Sequence, residues 1–258
     1  MKVAVVTPSI GQDTLAQCLL SVQKQEYEDI VHYVFIDGYE HKENVINQMA
    51  LKKVPIKTVT LEENVGKGWY GHRVYSACSF LVNADAICYL DEDNWFEPDH
   101  VKRLVEKLQN GNQWAYSLRK IYNQEGKYVC EDNCESLGRW PVYFNDKVYH
   151  IDTSSYIVKR DVAVTIGHAW YGQWGADRQF FHSLKHNFTN YDCTNKHTLC
   201  YRLDNNTGRD ETQPTSVDKN FFIKGNTIQK EKYDTIHFPW KQETKTLAKV
   251  APGITIIE

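Results

Sequence analysis

The stretch that decides the fold is "AICYLDEDNWFEPDHV", residues 86–101, in which an apolar run meets a cluster of acids. The run Ala86–Leu90 is short and bounded by polar residues, which predicts a buried strand. If strand geometry continues past its end, side chains alternate, so Asp91 and Asp93 lie on one side and Glu92 on the other. Two carboxylates on one side of a strand end predict a site for Mg²⁺ or Mn²⁺, because these cations prefer oxygen ligands.

A cation held by one or two carboxylates usually completes its coordination shell with phosphate oxygens, which predicts a metal-diphosphate site. The alternative is a solvated turn whose acids serve the N-terminus of the next helix. Pro98 suits the first turn of that helix, and Glu97 and Asp99 flank it. The acidic cluster by itself leaves both interpretations open.

Strands and helices alternate upstream of this stretch. Lys2–Thr7 and Ile30–Asp37 are apolar runs typical of buried strands, and Leu15–Val22 carries apolar residues at helical spacing between them. A third strand is predicted over Ile56–Leu61. A strand, a helix and a strand within a short length of chain form a βαβ unit, so these strands should be parallel. Residues 1–111 are therefore expected to form an α/β half with a largely parallel sheet.

The pattern changes in residues 112–205, which we expect to form a smaller mixed β second half of the same domain. The sequence predicts a hairpin over 114–130 and a strand over 149–159. A helix is predicted to start at Ala176, and a last strand to cover 197–203. Residues 206–258 are polar and weakly periodic. We expect them to form an extension that packs on or near the active site.

Composition excludes several classes of protein. The net charge of the 258-residue chain is −3 and no basic run is present, which argues against nucleic-acid binding. The apolar run at the N-terminus is too short for a signal peptide, and no stretch of about 20 apolar residues predicts a membrane span. Seven cysteines, an odd number, predict reduced thiols in a cytoplasm.

Four of these cysteines suggest an alternative to free thiols. A zinc site could combine the pair Cys130 and Cys134 with the pair Cys193 and Cys200. Their spacings differ from those of common zinc knuckles, however, and cysteines of this kind often serve as small core residues. Core positions are therefore the favoured interpretation.

The motifs of the chain, taken in order, resemble those of glycosyltransferases with the GT-A fold, especially the large family 2 group. The resemblance covers residues 1 to about 205 and rests on the segments "VAVVTPSIGQDTLAQCLLSVQKQEY", "YVFIDG", "ENVGKGWYGHRVYSAC", "YLDEDNWFEPDHV" and "WGADRQF". It implies a Rossmann-like, mostly parallel central sheet flanked by helices. One departure is the second strand, since many members have two adjacent aspartates there and this chain has Ile36 before a single Asp37.

The resemblance implies that residues 1–111 bind a nucleotide-sugar donor. Asp37 would accept a hydrogen bond from the base, and Asp91 would approach the ribose or the water shell of the metal. Arg73 has an alternative role as an ordinary surface ion-pair residue. The implied donor-binding residues are Thr7, Pro8, Ser9, Asp37, Lys67, Arg73, Asp91 and Glu92.

The resemblance also implies a bound Mn²⁺ or Mg²⁺. Asp93 would be its direct ligand, together with Asp91. His237 is the candidate for a further ligand, with His150 as a second possibility. For each histidine the alternative is a purely structural role.

An inverting transferase needs a base that takes the proton from the acceptor hydroxyl. Asp177 is the candidate, because it opens a helix after the aromatic stretch "HAWYGQWGA" and is followed by arginine, as in the family pattern. The alternative is that Asp177 merely caps the helix. The residues expected to contact the acceptor are Asp152, Trp170, Trp174 and Arg178.

We therefore expect a metal-dependent inverting glycosyltransferase that moves a sugar from a nucleotide-diphosphate donor, with UDP-sugars favoured, to a carbohydrate or lipid-linked glycan. Its expected place is the cytoplasm or the inner membrane face, in surface polysaccharide synthesis. One rival is a nucleotidyltransferase, although the loop "TPSIGQDT" lacks the basic residue that such enzymes use to hold triphosphate. The other is a non-catalytic carbohydrate- or partner-binding module on a transferase scaffold.

Overall fold

The computed structural model describes residues 1–49, 53–203 and 219–233, together with Phe238. The strands in these ranges are β1 (Val3–Ser9), β2 (Ile30–Ile36), β3 (Ile56–Thr60), β4 (Ala86–Tyr89), β5 (Trp95–Phe96), β6 (Trp114–Tyr122), β7 (Tyr128–Glu131), β8 (Tyr156–Lys159) and β9 (Tyr191–Arg202). The helices are α1 (Leu15–Gln23), α2 (Lys42–Asn47), α3 (His72–Leu81), α4 (His100–Gln109), α5 (Arg160–Ile166), α6 (Ala176–Asn187) and α7 (Lys219–Tyr233).

The described strands belong to one sheet with the order β3–β2–β1–β4–β8–β6–β9–β5, and β7 pairs with β6. The first four strands, β1 to β4, are all parallel. Strand β8 enters antiparallel between β4 and β6, so the second half of the chain continues the same sheet with strands in both directions. The predicted fold class is confirmed: a parallel α/β sheet flanked by helices, extended by a smaller mixed β part.

The side chains of β1 alternate between two cores, one on each face of the sheet. Ala4 and Val6 lie in the core that α3 and α6 cover. Val3 and Val5 lie in the core that α1 and α4 cover. Full burial of such a valine contributes about 1.5–3 kcal/mol. The alternation fixes the register of β1, and it places Pro8, at the end of the strand, on the α3 face.

Helix α4 forms because its apolar residues recur at helical spacing, and Val101, Leu104 and Leu108 are buried against the sheet. The predicted start of this helix is wrong by two residues. Pro98 precedes the first turn, and its carbonyl accepts a hydrogen bond from Glu26 N–H at 2.8 Å. Asp99 stands at the cap position, where its side chain pairs with Arg103 and makes no cap hydrogen bond.

The strand predicted over 149–159 is shorter than expected, since only Tyr156–Lys159 is extended. A 3-10 turn occupies Thr153–Ser155 instead. The physical reason is Asp152, whose side chain accepts a hydrogen bond from Ser154 N–H at 2.9 Å and so turns the chain. Strand β5, with two residues, and helix α7, with little amphipathic pattern, have no counterpart among the predicted elements.

Helix α7 packs against the segment that follows β7. The side chain of Asn226 accepts a hydrogen bond from Asn133 N–H at 2.9 Å and donates one to the Glu131 carbonyl at 2.7 Å. Gln229 is buried and donates to the Pro141 carbonyl at 2.9 Å. His237 and most of the predicted extension lie outside the described residues. None of the helices in the described ranges is long and apolar enough to span a membrane.

Candidate active site

The predicted site residues gather at the edge of the sheet where the parallel strands β1, β2 and β4 end. Pro8 lies at the end of β1, Asp37 directly after β2, and Asp91 two residues after β4. The crevice at the carboxyl ends of such strands is where open α/β sheets bind ligands. Helix α6 packs against the same part of the sheet, since Phe180 contacts Tyr89 at the end of β4 with 5.7 Å between ring centroids.

Glu92 fixes the loop that follows β1. Its Oε2 accepts hydrogen bonds from the Ser9 hydroxyl at 2.7 Å and from the N–H groups of Gly11 at 3.1 Å and Gln12 at 3.2 Å. Its Oε1 accepts from Ile10 N–H at 3.2 Å. Successive N–H groups of this kind often cradle phosphate. Here they hold the chain's own buried carboxylate, so the Glu92 side chain is engaged by this loop.

The predicted pocket residues Thr7, Pro8 and Ser9 point to different faces of the sheet. The Thr7 hydroxyl is buried and lies 2.9 Å from His32 Nε2, and Ser9 turns to Glu92. Pro8 is partly exposed and faces the loop at Gly71. Only Pro8 therefore offers its side chain to the crevice, while Thr7 and Ser9 can offer backbone.

Asp37 organises the loop between β3 and α3. Its Oδ1 accepts the Val65 N–H and its Oδ2 the Gly66 N–H, each at 2.8 Å. Position 66 needs glycine, because a Cβ there would stand 2.3 Å from Asp37 Oδ2. Burial raises the pKa of Asp37, against the effect of these two N–H groups. Each carboxylate oxygen keeps a second lone pair, so Asp37 can still accept a hydrogen bond from a base.

Arg73 stands in the first turn of α3, beside the loop that Asp37 organises, and lies among aromatic rings. Its guanidinium stands 3.8 Å from the ring centroid of Trp69 and 5.8 Å from that of Tyr171. Its Nη1 donates to the Val65 carbonyl at 3.3 Å. Lys67, on the same loop, is exposed. Arg73 thus joins the donor-side loop to the aromatic stretch that precedes α6, while Lys67 is free to reach a ligand.

Asp91 is engaged at both carboxylate oxygens. Tyr75 donates to Oδ1 at 2.8 Å, and the Ser154 hydroxyl and the Asn94 amide lie 3.1 and 3.4 Å from Oδ2. Burial and the charge of Asp152 raise the pKa of Asp91 to about 7, although the hydrogen bonds from Tyr75 and Ser154 oppose the rise. This arrangement suits a contact with a sugar hydroxyl or with metal-bound water better than direct coordination.

Asp91 and Asp93 are partly exposed, and Glu92 and Asn94 are buried, so the exposure of these side chains alternates. The expected continuation of the strand is not formed, because residues 91–94 make a turn in which Asn94 N–H donates to the Asp91 carbonyl at 3.1 Å. Within the described ranges, no cluster of three or more His, Cys, Asp or Glu side chains could hold a metal ion. The residues present fit a cation with a single direct protein ligand, Asp93. Such an ion would take its remaining oxygen ligands from a diphosphate and water.

The zinc alternative is wrong for the part of the chain described here. The four cysteines that it requires form no metal cluster and no disulfide. Cys134 and Cys193 are buried, and burial raises the pKa of the Cys193 thiol to about 11. These thiols are small core groups.

Asp177 stands in the first turn of α6, facing the crevice. Its Oδ1 accepts the Arg178 N–H at 2.8 Å, and its Oδ2 lies 3.5 Å from Nδ1 of His150. The N-cap position belongs to Gly175, whose φ of +89° favours glycine. Asp177 is therefore not the N-cap residue, although its side chain still serves the helix by accepting the N–H of Arg178 in the first turn. The carboxylate is partly exposed, as a base that meets a substrate must be.

The aromatic residues predicted to contact an acceptor divide into core and surface. Trp170 has no exposed surface and stacks on Phe180 with 4.1 Å between ring centroids. The prediction for Trp170 does not fit this placement, because a wholly buried indole offers no face to a sugar. Trp174 is 55% exposed, and the Arg178 guanidinium lies 4.7 Å from its ring centroid. Trp174 and Arg178 thus form a surface beside Asp177.

Asp152 belongs to a buried ionic cluster that no sequence pattern predicts. Arg119 on β6 is 2% exposed and donates from Nε to Asp132 at 2.7 Å and from Nη1 to Asp152 at 2.6 Å. Its Nη2 pairs with Glu135. Burial raises the pKa of Glu135 to about 7, while Arg119 opposes the rise. Asp152 also accepts the Ser154 N–H, so the cluster is joined to Asp91 through Ser154.

Sequence reasoning misses three groups of this site. Tyr75 sits on the buried face of α3 and reads as core, and Ser154 falls inside a predicted strand. Arg119 interrupts an apolar strand, which is the one local signal available, since a charge in a buried strand needs paired partners. Nothing in the spacing of Asp132 and Glu135 names them as those partners.

Comparison with known proteins agrees with this geometry. The sequence profile of the family described as "Glycosyl transferase family 2" matches residues 4–157, which is more than half of the chain. None of the curated proteins compared with the chain matches it.

The fold is similar to that of solved structures of TarS from S. aureus. For TarS 1–349 the TM-score is 0.61 at 13% identity, over 79% of this chain and 61% of that one. For the same protein in complex with UDP-GlcNAc the TM-score is 0.60 at 12% identity, over 96% and 71%. The match to the longer TarS structure covers 37% of that chain with a TM-score of 0.57. At this level of identity the likeness shows the fold alone.

Proposed function

The chain belongs to glycosyl transferase family 2, and we propose that it is a metal-dependent inverting enzyme that moves a sugar from a UDP-sugar to a hydroxyl of a carbohydrate or lipid-linked glycan. The observation that carries this proposal is the meeting of two carboxylates from the two halves of the chain. Asp91 follows β4 and Asp177 opens α6, and the two sides are packed together, because Trp170 contacts both Tyr75, which donates to Asp91, and Phe180 of α6. Asp91 suits a contact with the donor, and Asp177 suits a contact with the acceptor.

The donor half would hold the nucleotide through Asp37 and the loop that it organises. Uracil presents an N3–H donor, and Asp37 retains lone pairs to accept it. Pro8 would pack against the base or ribose, and Lys67 would reach the phosphates. The complexes of TarS with UDP and with UDP-GlcNAc support a uridine nucleotide and make UDP-N-acetylhexosamines the first donors to test.

Asp93 would hold Mn²⁺ or Mg²⁺, with Asp91 in contact with its water shell or the ribose. When bound, such a cation neutralises diphosphate charge and stabilises the departing nucleotide as a Lewis acid. His237 stays a predicted further ligand. The engagement of both Asp91 oxygens by Tyr75 and Ser154 supports this division of labour, because it makes Asp91 less suited to direct coordination.

The acceptor would lie against Trp174 and Arg178, beside Asp177. Asp177 would take the proton of the acceptor hydroxyl as its oxygen attacks the anomeric carbon from the side opposite the diphosphate. The bond to the diphosphate breaks in the same step, and a single displacement inverts the configuration. Asp152, predicted to contact the acceptor, is buried and would act instead on Asp91 through Ser154. The expected setting is the synthesis of a surface polysaccharide in the cytoplasm.

The rival functions are weaker on specific grounds. A nucleotidyltransferase would need the loop after β1 to receive triphosphate, but its N–H groups at Ile10, Gly11 and Gln12 are taken by Glu92. A non-catalytic module would not need Asp177 to face the crevice from a helix that glycine already starts. The proposed function and each of the two rivals predict different results in one assay.

That assay measures release of UDP from a panel of UDP-sugars with and without Mn²⁺, using wild type and Asp93→Ala. The matched control is Asp29→Ala, which alters an exposed aspartate just before β2, at the opposite edge of the sheet. We expect Mn²⁺-dependent release that Asp93→Ala abolishes and Asp29→Ala preserves. Undiminished donor affinity of Asp93→Ala in Mn²⁺ would contradict the metal assignment. Consumption of NTP with pyrophosphate release would favour the nucleotidyltransferase, and no turnover of any donor would favour the binding module.

A further inference from the structure

His150 stands directly behind Asp177 in the interior of the protein. The His150 side chain is 5% exposed, and its backbone carbonyl accepts a hydrogen bond from Gly138 N–H at 2.9 Å. Nδ1 is buried and has no hydrogen-bond partner within normal distance in the described part of the chain. Asp177 Oδ2, at 3.5 Å, is its partner in the one ion pair seen for this ring. A buried polar atom of this kind calls for an explanation.

We propose that His150 is a positioning residue, whose Nδ1–H holds the Asp177 carboxylate in the orientation that takes the acceptor proton. The inference rests on the proposed function of Asp177 as the base. It assigns to His150 no contact with the substrate. The 3.5 Å separation is long for a finished hydrogen bond, but catalytic hydrogen bonds of free enzymes often tighten only when substrate binds.

The charge state of His150 supports this role. Burial lowers its pKa to about 4, so the ring is neutral near pH 7 and carries a single N–H. An unprotonated Nδ1 would direct its lone pair at the carboxylate, which is repulsive. A protonated Nδ1 donates to Asp177, so the Nδ1–H tautomer is the favoured one.

The two oxygens of Asp177 would then be held from two directions, Oδ1 by the Arg178 N–H and Oδ2 by His150. Each oxygen keeps a lone pair for the acceptor proton. Other charged or titratable groups from several elements also act on this pair. They are His72 of α3, Asp91 after β4, Arg119 of β6, Asp132 after β7, Asp152 in the turn before β8, Tyr156 of β8 and Arg178 of α6.

The test compares His150→Phe, which fills the buried space without a donor, with His150→Asn, whose amide can place a donor where Nδ1 stands. His182→Phe, on the exposed side of α6, is the matched control. With UDP-sugar donor and Mn²⁺, we expect His150→Phe to lower kcat about 10-fold to 100-fold while the donor KM stays unchanged. We expect His150→Asn to recover most of the loss.

Two further measurements separate this inference from the proposed function. In the Asp177→Asn background, His150→Phe should have no further effect on kcat, because the group that it positions is gone. ¹⁵N NMR of the full chain should show the Nδ1–H tautomer of His150, independently of turnover. Normal turnover of Asp177→Asn would overturn the proposed base itself. A low rate for Asp177→Asn with a normal kcat for a folded His150→Phe would overturn only the role of His150, as would the Nε2–H tautomer.

Discussion

Replacing Glu92 with glutamine tests whether one carboxylate holds the loop after β1. The amide oxygen can take the place of Oε2 and keep the bonds to Ser9, Gly11 and Gln12, which span 2.7–3.2 Å. The amide nitrogen then faces Ile10 N–H, so two donors meet where Oε1 accepted a bond at 3.2 Å. The variant therefore loses one charge-assisted bond and the charge behind the other three.

A hydrogen bond to a charged group contributes about 1.5–3 kcal/mol, so we expect Glu92→Gln to lower the free energy of unfolding by about 2 kcal/mol. For a chain of this size that is a fall in Tm of about 4–8 °C. Thermal unfolding by circular dichroism measures it, with Glu106→Gln, an exposed glutamate on α4, as the control. The donor KM should rise as well, because the loop carries Pro8 at its start. An unchanged Tm for Glu92→Gln would refute the claim that this carboxylate organises the loop.

Three further predictions address the ionic cluster around Arg119, recognition of the nucleobase, and the acceptor surface. The pKa of Glu135 is raised from 4.5 to about 7, so its protonated form favours the folded state, and the stability that it contributes is lost as pH rises across this window. Chemical unfolding at several pH values should show that the free energy of unfolding falls less steeply with pH for Glu135→Gln than for wild type. Equal slopes for the two proteins would contradict the assignment. UDP should bind more tightly than CDP by roughly 1–3 kcal/mol, because cytosine offers Asp37 no N3–H, and calorimetry showing equal affinities would remove Asp37 from base recognition. Trp174→Ala should raise the acceptor KM without lowering Tm. Trp170→Ala should lower the free energy of unfolding by about 3–5 kcal/mol, because it empties a core site. A loss of stability in Trp174→Ala with none in Trp170→Ala would reverse the two placements.

The first half of the fold follows closely from the sequence. The apolar runs at β1, β2 and β4 are bounded by turn residues, and the helices between them have one apolar stripe each, so local pattern and tertiary structure agree. The exposure of Asp91 and Asp93 and the burial of Glu92 also agree with the sequence, although a turn over residues 91–94 replaces the strand geometry expected there. These are features that neighbouring residues determine among themselves.

The second half is harder to predict because its structure depends on partners distant in sequence. Residues 149–159 have a strand-like composition, yet Asp152 turns the chain by accepting the Ser154 N–H and the Arg119 guanidinium. Trp170 looks like a ligand-binding aromatic in a glycine-rich stretch, but packing against Phe180 places it in the core. In each case a tertiary contact overrides the local pattern.

The candidate site likewise combines residues that a motif identifies with residues that only the folded chain brings together. Family resemblance selects Asp37, Asp93 and Asp177 from their motifs, and their assigned roles stay predictions. It cannot supply the groups that hold those carboxylates. Tyr75 and His150 look like ordinary core residues until the folded chain places Tyr75 beside Asp91 and His150 beside Asp177. Positioning residues are defined by what they contact, and those contacts are set by the whole fold.

The most direct test of the central claim is a ¹H NMR time course of sugar transfer from an α-linked UDP-sugar in Mn²⁺, for wild type and Asp177→Asn. Asparagine keeps the shape of aspartate but cannot take a proton, and loss of a general base slows transfer by about 10²–10⁴-fold. We predict a β-linked product from wild type, and transfer at least about 10²-fold slower from Asp177→Asn with donor binding nearly unchanged. An α-linked product, or near-normal transfer by Asp177→Asn, would contradict the inverting mechanism with Asp177 as its base.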